Sequence, residues 1–250
     1  MFSSYSELAA EVYDIDKPIG HSFGDVEFYR ERLKNCTGKI LEPAAGTGRM
    51  LIPLLEAGLD VEGFDNSPEM MEKCYARCSE RGFYPTLHNT TMQSFSLPRL
   101  YEAIIVPAGS FLLLEKRSEA IDALTRFYKH LAPGGRVIMD LFLPSTFQIG
   151  TTTTKTWTTP QNDIITLESK LIDVDYLTQH SVSYLRYEKW RKGKLLQTEL
   201  QRFPLAWYGI EEFTLLLEKI GFSSIIVSAD YNYGSKPIAA NQTITFEAYR

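Results

Sequence analysis

Between residues 39 and 143 the chain alternates short, unbroken apolar runs with longer amphipathic stretches. Lys39-Ile40-Leu41-Glu42 is a brief apolar run closed by an acid, and it predicts a buried strand. Thr47 to Ala57 carries helical periodicity, with Gly58 placed as a C-terminal cap. Val61 to Asp65 predicts a second strand that again ends in an acid. Ser67 and Pro68 supply the N-cap and first position of the next helix. Tyr84 to His88 predicts a third strand. Ala103 to Val106 predicts a fourth, apolar throughout, as in a parallel strand covered on both faces. Glu115 to Leu131 is helical and stops before Pro133-Gly134-Gly135, and Arg136 to Leu143 predicts a fifth strand.

The pattern changes after Pro144. Residues 151 to 203 are rich in Thr, Tyr, Val and Ile in short alternating runs. Ile164 to Val174, Val182 to Trp190 and Leu195 to Phe203 predict antiparallel strands. Arg191-Lys192-Gly193-Lys194 joins the last two as a hairpin loop. A helix returns from Ile210 to Ile220 and stops at Gly221, and two final strands lie near Ser223–Val227 and Thr243–Tyr249. Residues 5 to 35 read as helical segments broken at Lys17-Pro18-Ile19-Gly20. The expected fold class is α/β: a doubly wound, mostly parallel, Rossmann-like sheet of seven strands with an antiparallel β insertion. Residues 1–150 form a core with an N-terminal helical cover, 151–203 an inserted meander, and 204–250 the rest of the core.

Composition narrows the function. Of 250 residues, 44% are hydrophobic and 23% charged, which suits a globular protein with a full core. The formal net charge is −5, and no basic face is evident for a phosphate backbone, so nucleic acid is not an expected partner. No signal-peptide pattern opens the chain and no apolar run is long enough for a membrane span, so a cytoplasmic protein is expected. Cys36, Cys74 and Cys78 read as reduced thiols, the last two sharing a helix face, and no metal site is expected.

The chemistry begins at Glu42-Pro43-Ala44-Ala45-Gly46-Thr47-Gly48. A strand that runs through glycines into a helix brings a nucleotide close to the backbone. The dinucleotide fingerprint needs a third glycine where Leu51 stands. Glu42 at the loop entrance would repel a pyrophosphate, whereas the sulfonium and ammonium of S-adenosylmethionine (SAM) are positive. Charge sign thus favours SAM over NAD. Asp65 ends the second strand, where a carboxylate can accept two ribose hydroxyls.

These segments resemble class I SAM-dependent methyltransferases, small-molecule type with an inserted β-meander. Leu41 to Arg49 resembles the family's first motif and Val61 to Met70 its second, while Leu131-Ala132-Pro133-Gly134-Gly135 resembles the turn before the fifth strand. The resemblance implies SAM as cofactor, S-adenosylhomocysteine (SAH) as product and a soluble small-molecule acceptor, in a monomer or homodimer. It implies cofactor contacts from Tyr13, Glu42, Ala44, Gly46, Gly48, Asp65, Asn66, Met70, Thr91, Met92, Gln93, Pro107 and Ser110. Two positions depart from the pattern. Ala44 stands where glycine is common, and Thr91 stands where many relatives carry an acid for the adenine amine.

The stretch Val106-Pro107-Ala108-Gly109-Ser110-Phe111 lacks the Pro-Pro-aromatic and Pro-Cys patterns of base methylation. Methyl transfer is an in-line displacement that mainly asks the enzyme to hold the nucleophile and exclude water. An amine need only arrive neutral, whereas a hydroxyl usually needs a base. His21 and His180 are candidate bases and Tyr208 a further candidate, each with a bland structural alternative. Trp157, Tyr176, Tyr184, Tyr187 and Trp190 in the insert, followed by Trp207, can wall a pocket or simply form the meander's apolar face. The insert is expected as a substrate lid or dimer contact. The expected function is methyl transfer to nitrogen or oxygen of a small molecule. A non-catalytic SAM-binding module and an NAD-dependent oxidoreductase remain open at this point.

Overall fold

The computed structural model describes residues 5–144 and 146–250. Two helices, α1 (Glu7–Asp16) and α2 (Asp25–Leu33), precede the sheet. Then follow β1 (Ile40–Pro43), α3 (Leu51–Glu56), β2 (Val61–Asp65), α4 (Pro68–Glu80), β3 (Leu87–Asn89), β4 (Tyr101–Val106), α5 (Arg117–His130) and β5 (Leu131–Phe142). Strands β6 (Thr152–Thr158), β7 (Ile164–Asp175), β8 (His180–Arg191) and β9 (Lys194–Ala206) form a separate antiparallel sheet. Helix α6 (Ile210–Ile220), β10 (Ser223–Ala229) and β11 (Thr243–Tyr249) complete the core.

The main sheet has seven strands in the order β10-β11-β5-β4-β1-β2-β3. β1 to β5 pair parallel, and β11 runs antiparallel to both β5 and β10. The order reverses between β1 and β4, and in open α/β sheets the crevice beyond the carboxyl ends at such a point takes ligands.

Alternation along β4 shows why its run is apolar throughout. Ile104 and Val106 join the cluster beneath α5 and α6 with Ala120, Phe127, Phe213 and Phe246. Ala103 and Ile105 face the other way, into a cluster with Tyr29, Leu33, Leu51 and Cys74. Cys74 and Cys78 are both buried there, on one face of α4. A third cluster joins Leu8, Ala9 and Val12 of α1 to Ile165, Leu185 and Tyr187 of the insert.

The elements differ from the sequence reading where backbone chemistry intervenes. Gly48 has φ +89°, which a right-handed helix cannot include, so α3 starts at Leu51 rather than Thr47. Pro85 has no N–H for a ladder, and the third strand shrinks to Leu87–Asn89. Strand β6 was not foreseen, because Trp157 is the only large apolar residue in its threonine-rich run. The hairpin at Lys192-Gly193 turns with both residues at positive φ, 49° and 76°, as a two-residue primed turn requires. Ser67 caps α4 by accepting from the Met70 N–H at 3.1 Å.

Helix α2 is tied to the sheet by Glu247 on β11. Its buried carboxylate accepts from Arg32 Nε and Nη2 at 2.8 and 3.0 Å, and the Arg136 guanidinium lies 3.3 Å away. Glu247→Ala leaves two cations half-buried without their counter-charge. It is expected to lower stability by about 3–5 kcal/mol, read as a melting temperature lower by on the order of 10 °C. Glu247→Gln should lose less, since it keeps acceptor and shape.

Candidate functional site

The loop after β1 is built on left-handed backbone. Ala44, Gly46 and Gly48 have φ of 53°, 57° and 89°. Glycine takes this conformation freely, while at Ala44 it costs roughly 1–3 kcal/mol, which accounts for the preference for glycine there. A side chain at Gly46 would meet nothing within 4 Å, so the loop is open on that side. Asp65 braces it: Oδ2 accepts from the Gly46 N–H at 2.8 Å and Oδ1 from the Ser67 N–H at 2.9 Å. Burial raises the Asp65 pKa, and these backbone donors oppose the rise.

Beside this loop lies a cavity of about 600 Å³. Ala44, Asp65, Asn66, Thr91, Met92 and Gln93 line it together, bringing six of the anticipated residues into one wall. The insert adds residues the sequence did not flag, Gln201, Arg202 and Pro204. Gln201 is 2% exposed and its Oε1 has no partner, leaving a polar atom at the cavity wall. A second cavity of about 490 Å³ holds Tyr13 and Ser110 with Ala108, Gly109, Phe147 and Trp207. Tyr5 and Leu113 line both cavities, so the two adjoin across these side chains. Tyr5 was missed because its spacing is no different from that of a helix-packing aromatic.

Other anticipated residues stand apart. His21, His180 and Tyr208 line neither cavity. The His21 carbonyl accepts from Arg49 and its ring packs on Phe23. His180 lies 3.5 Å from Glu115 and contacts Thr178. Tyr208 is 2% exposed among Phe111 and Phe213 under the Arg117 guanidinium, and its hydroxyl has no partner. Met70 is buried behind the cavity wall, and Pro107 serves through its carbonyl, which accepts from Ser110 Oγ at 3.0 Å. Of the insert's aromatics, Tyr187 is buried on the α1 side while Tyr184 is on the other face.

Glu42 sits beneath the loop. It lines neither cavity, is 2% exposed, and one carboxylate oxygen has no partner. Burial pushes its carboxyl well above the usual range, with the Arg49 charge opposing. The cation that Glu42 feels most is therefore one of the chain's own, Arg49. That guanidinium is 3% exposed and pairs with Asp25 at 2.5 Å, beside the Tyr13 hydroxyl. Burial alone would raise the Asp25 pKa, but Arg49 and the backbone donors of Phe23 and Val26 hold it below the usual value.

Residues 40–135, from β1 to the turn of β5, match the family described as Methyltransferase domain. The similarity lies in the segment that carries the glycine loop and Asp65. A putative methyltransferase of Bacillus subtilis, YqeM, is 25% identical over 85% of this chain and 84% of its own length. A glycine/sarcosine N-methyltransferase of Halorhodospira halochloris is 35% identical over 45% of this chain and 43% of its own. The sugar N-methyltransferase KedS8 from Streptoalloteichus shares the fold, with a TM-score of 0.73 at 22% identity over 100% of this chain and 97% of that one. No helix among the described residues is long and apolar enough to cross a membrane.

The chain holds its β4 loop through Asp140 on β5. This fully buried carboxyl accepts from the Ala108 N–H at 2.8 Å, Thr245 Oγ1 at 2.9 Å, Tyr29 Oη at 3.0 Å and Tyr231 Oη at 3.1 Å. Ala108 has φ 55° and Gly109 φ 71°; a side chain on Gly109 would strike the Phe142 ring at 2.5 Å. Burial raises the Asp140 pKa from 3.8 to about 6, against the pull of its donors. Between those values the folded state keeps a proton that the unfolded chain releases. Stability from this group therefore falls as pH rises from 3.8 to about 6, by up to about 3 kcal/mol, and is flat above. The stability difference between wild type and Asp140→Asn, measured in urea across this range, is expected to show that slope. The Ala108 amide resonance should shift with a midpoint near pH 6 in wild type alone.

Proposed function

We propose that the protein transfers the methyl group of SAM to a nitrogen, or less readily an oxygen, of a small molecule bound in the Tyr13–Ser110 cavity. The observation that carries this reading is the pair of adjoining cavities at the carboxyl edge of the sheet, divided only by Tyr5 and Leu113.

The Asp65 cavity fits SAM by the chemistry of its lining. Asp65 has lone pairs beyond the two given to backbone, and these take the ribose hydroxyls. Thr91, Met92 and Gln93 border the base, Asn66 lies beside the ribose, and the unpaired Gln201 oxygen receives a donor. The loop of Ala44, Gly46 and Gly48 borders the amino-acid part. Bound there, SAM supplies a methyl carbon on a positively charged sulfur. The chain's task is to fix the acceptor against that carbon and keep water out. Ser110, Pro107 and the apolar wall of Phe147 and Trp207 do this.

Among the described residues neither histidine nor carboxylate lines the acceptor cavity, which favours an amine that arrives neutral over a hydroxyl that needs a base. The names of the glycine/sarcosine and sugar N-methyltransferases point to amine nitrogens too. The insert then acts as the acceptor's outer wall.

Calorimetry is expected to show SAM and SAH binding to the wild type. Asp65→Ala should weaken SAH by about tenfold or more, about 1.4 kcal/mol. Incubation with SAM and a panel of small amines should release SAH in proportion to acceptor. Wild type that binds neither ligand refutes the assignment, and binding without acceptor-dependent SAH release leaves only a binding module.

A further inference from the structure

The acceptor cavity carries one ionic feature. Lys17, just beyond α1, lines it together with Tyr5, Tyr13, Phe142, Phe147 and Trp207, and no carboxylate does. Its ammonium lies 5.1 Å from the centre of the Tyr13 ring. Among the described residues no acid is within ion-pairing distance of it. The carboxylates whose fields reach it are Asp16 and Asp25, and both are engaged elsewhere. Asp16 accepts from the Trp157 indole at 3.1 Å, and Asp25 is bound to Arg49. Arg49 and Lys155 add further positive charge around Lys17.

A partly desolvated ammonium without a counter-ion is unfavourable. Burial and the Arg49 charge indeed push the Lys17 pKa below its ordinary value. A cavity whose wall is aromatic and whose only formal charge is positive suits an apolar body bearing an anion. It does not suit a second cation.

Resting on the methyl-transfer reading above, we propose that Lys17 is the counter-ion for an acidic group of the acceptor. The acceptor class is then an amine with an apolar or aromatic body and a carboxylate, sulfate or phosphate. The amine nitrogen lies towards Ser110 and Leu113, and the anion lies at Lys17. The same ammonium chemistry would also suit the carboxylate of SAM. Lys17 lines the acceptor cavity and not the Asp65 cavity, which assigns it to the acceptor.

The probes are 4-(aminomethyl)benzoate and its neutral amide, titrated by ligand-observed NMR into protein saturated with SAH. Wild type is expected to bind the carboxylate about fivefold or more tightly than the amide, with the preference shrinking as salt rises. Lys17→Met should erase the preference and Lys17→Arg should keep it, while SAH affinity, measured by calorimetry, stays within about twofold in both. Equal binding of the two probes to wild type, no binding of the carboxylate, or a preference that survives in Lys17→Met overturns the proposal. So does a Lys17→Met variant that loses SAH affinity instead, which places the ammonium on the cofactor's carboxylate. Failure of the wild type to bind SAH at all would refute the cofactor assignment itself and is seen in the calorimetry before any probe is added.

Discussion

The buried ion pair between Arg49 and Asp25 holds the two halves of the site in one geometry. Arg49 leaves the glycine loop and Asp25 opens α2, so a contact of 2.5 Å fixes the N-terminal segment over the carboxyl edge of the sheet. Removing two charges from water is costly, and further hydrogen bonds to each partner offset part of that cost. The His21 carbonyl takes one guanidinium N–H, and the Phe23 and Val26 N–H groups take Asp25. Tyr13 and Lys17, on the N-terminal segment that precedes α2, close one side of the Tyr13–Ser110 cavity. The same guanidinium opposes the effect of burial on the Glu42 carboxyl.

Two other carboxylates repeat this logic at neighbouring strand ends. Asp65 on β2 receives the N–H of Gly46 from the loop after β1. Asp140 on β5 receives the N–H of Ala108 from the loop after β4. β1 and β4 are the strands between which the sheet order reverses, so each loop at the switch point is held by an acid from the strand beside it. Both loops carry non-glycine residues at positive φ, Ala44 and Ala108. Such backbone persists only where its surroundings over-determine it. The acids supply that constraint.

The parallel core was legible because its constraints are local. An apolar run closed by an acid, a glycine at a forced turn and a proline at a first helical position each state one element. Asp65, Asn66, Thr91, Met92 and Gln93 could be placed in advance because they follow strands whose ends define the crevice. The acceptor side was not legible in the same way. His21, His180 and Tyr208 were plausible from residue type alone, and all three belong to packing or surface contacts. Tyr5, Lys17 and Gln201 come from segments far apart in the chain, and only tertiary packing brings them to one place. Glu42 was read for its charge, and its burial beside Arg49 was not legible in the same way.

That asymmetry has a physical origin in how the insert is attached. Among the described residues its four strands pair only with one another, so no backbone ladder joins them to the main sheet. Their anchors are side chains: Trp157 to Asp16, Lys189 to Glu11 at 2.9 Å, and Arg202 to Glu115 through two bonds of 2.6 Å. The apolar cluster of Leu8, Val12, Ile165 and Tyr187 adds the burial that those polar contacts lack. β9 supplies Gln201, Arg202 and Pro204 to one cavity and Phe203, Leu205 and Ala206 to the other, so a single strand walls both. A one-residue slip of β9 would turn each of these side chains to the opposite face. The register of β9 against β8 is thus a determinant of both cavities, although β9 is not a strand of the main sheet.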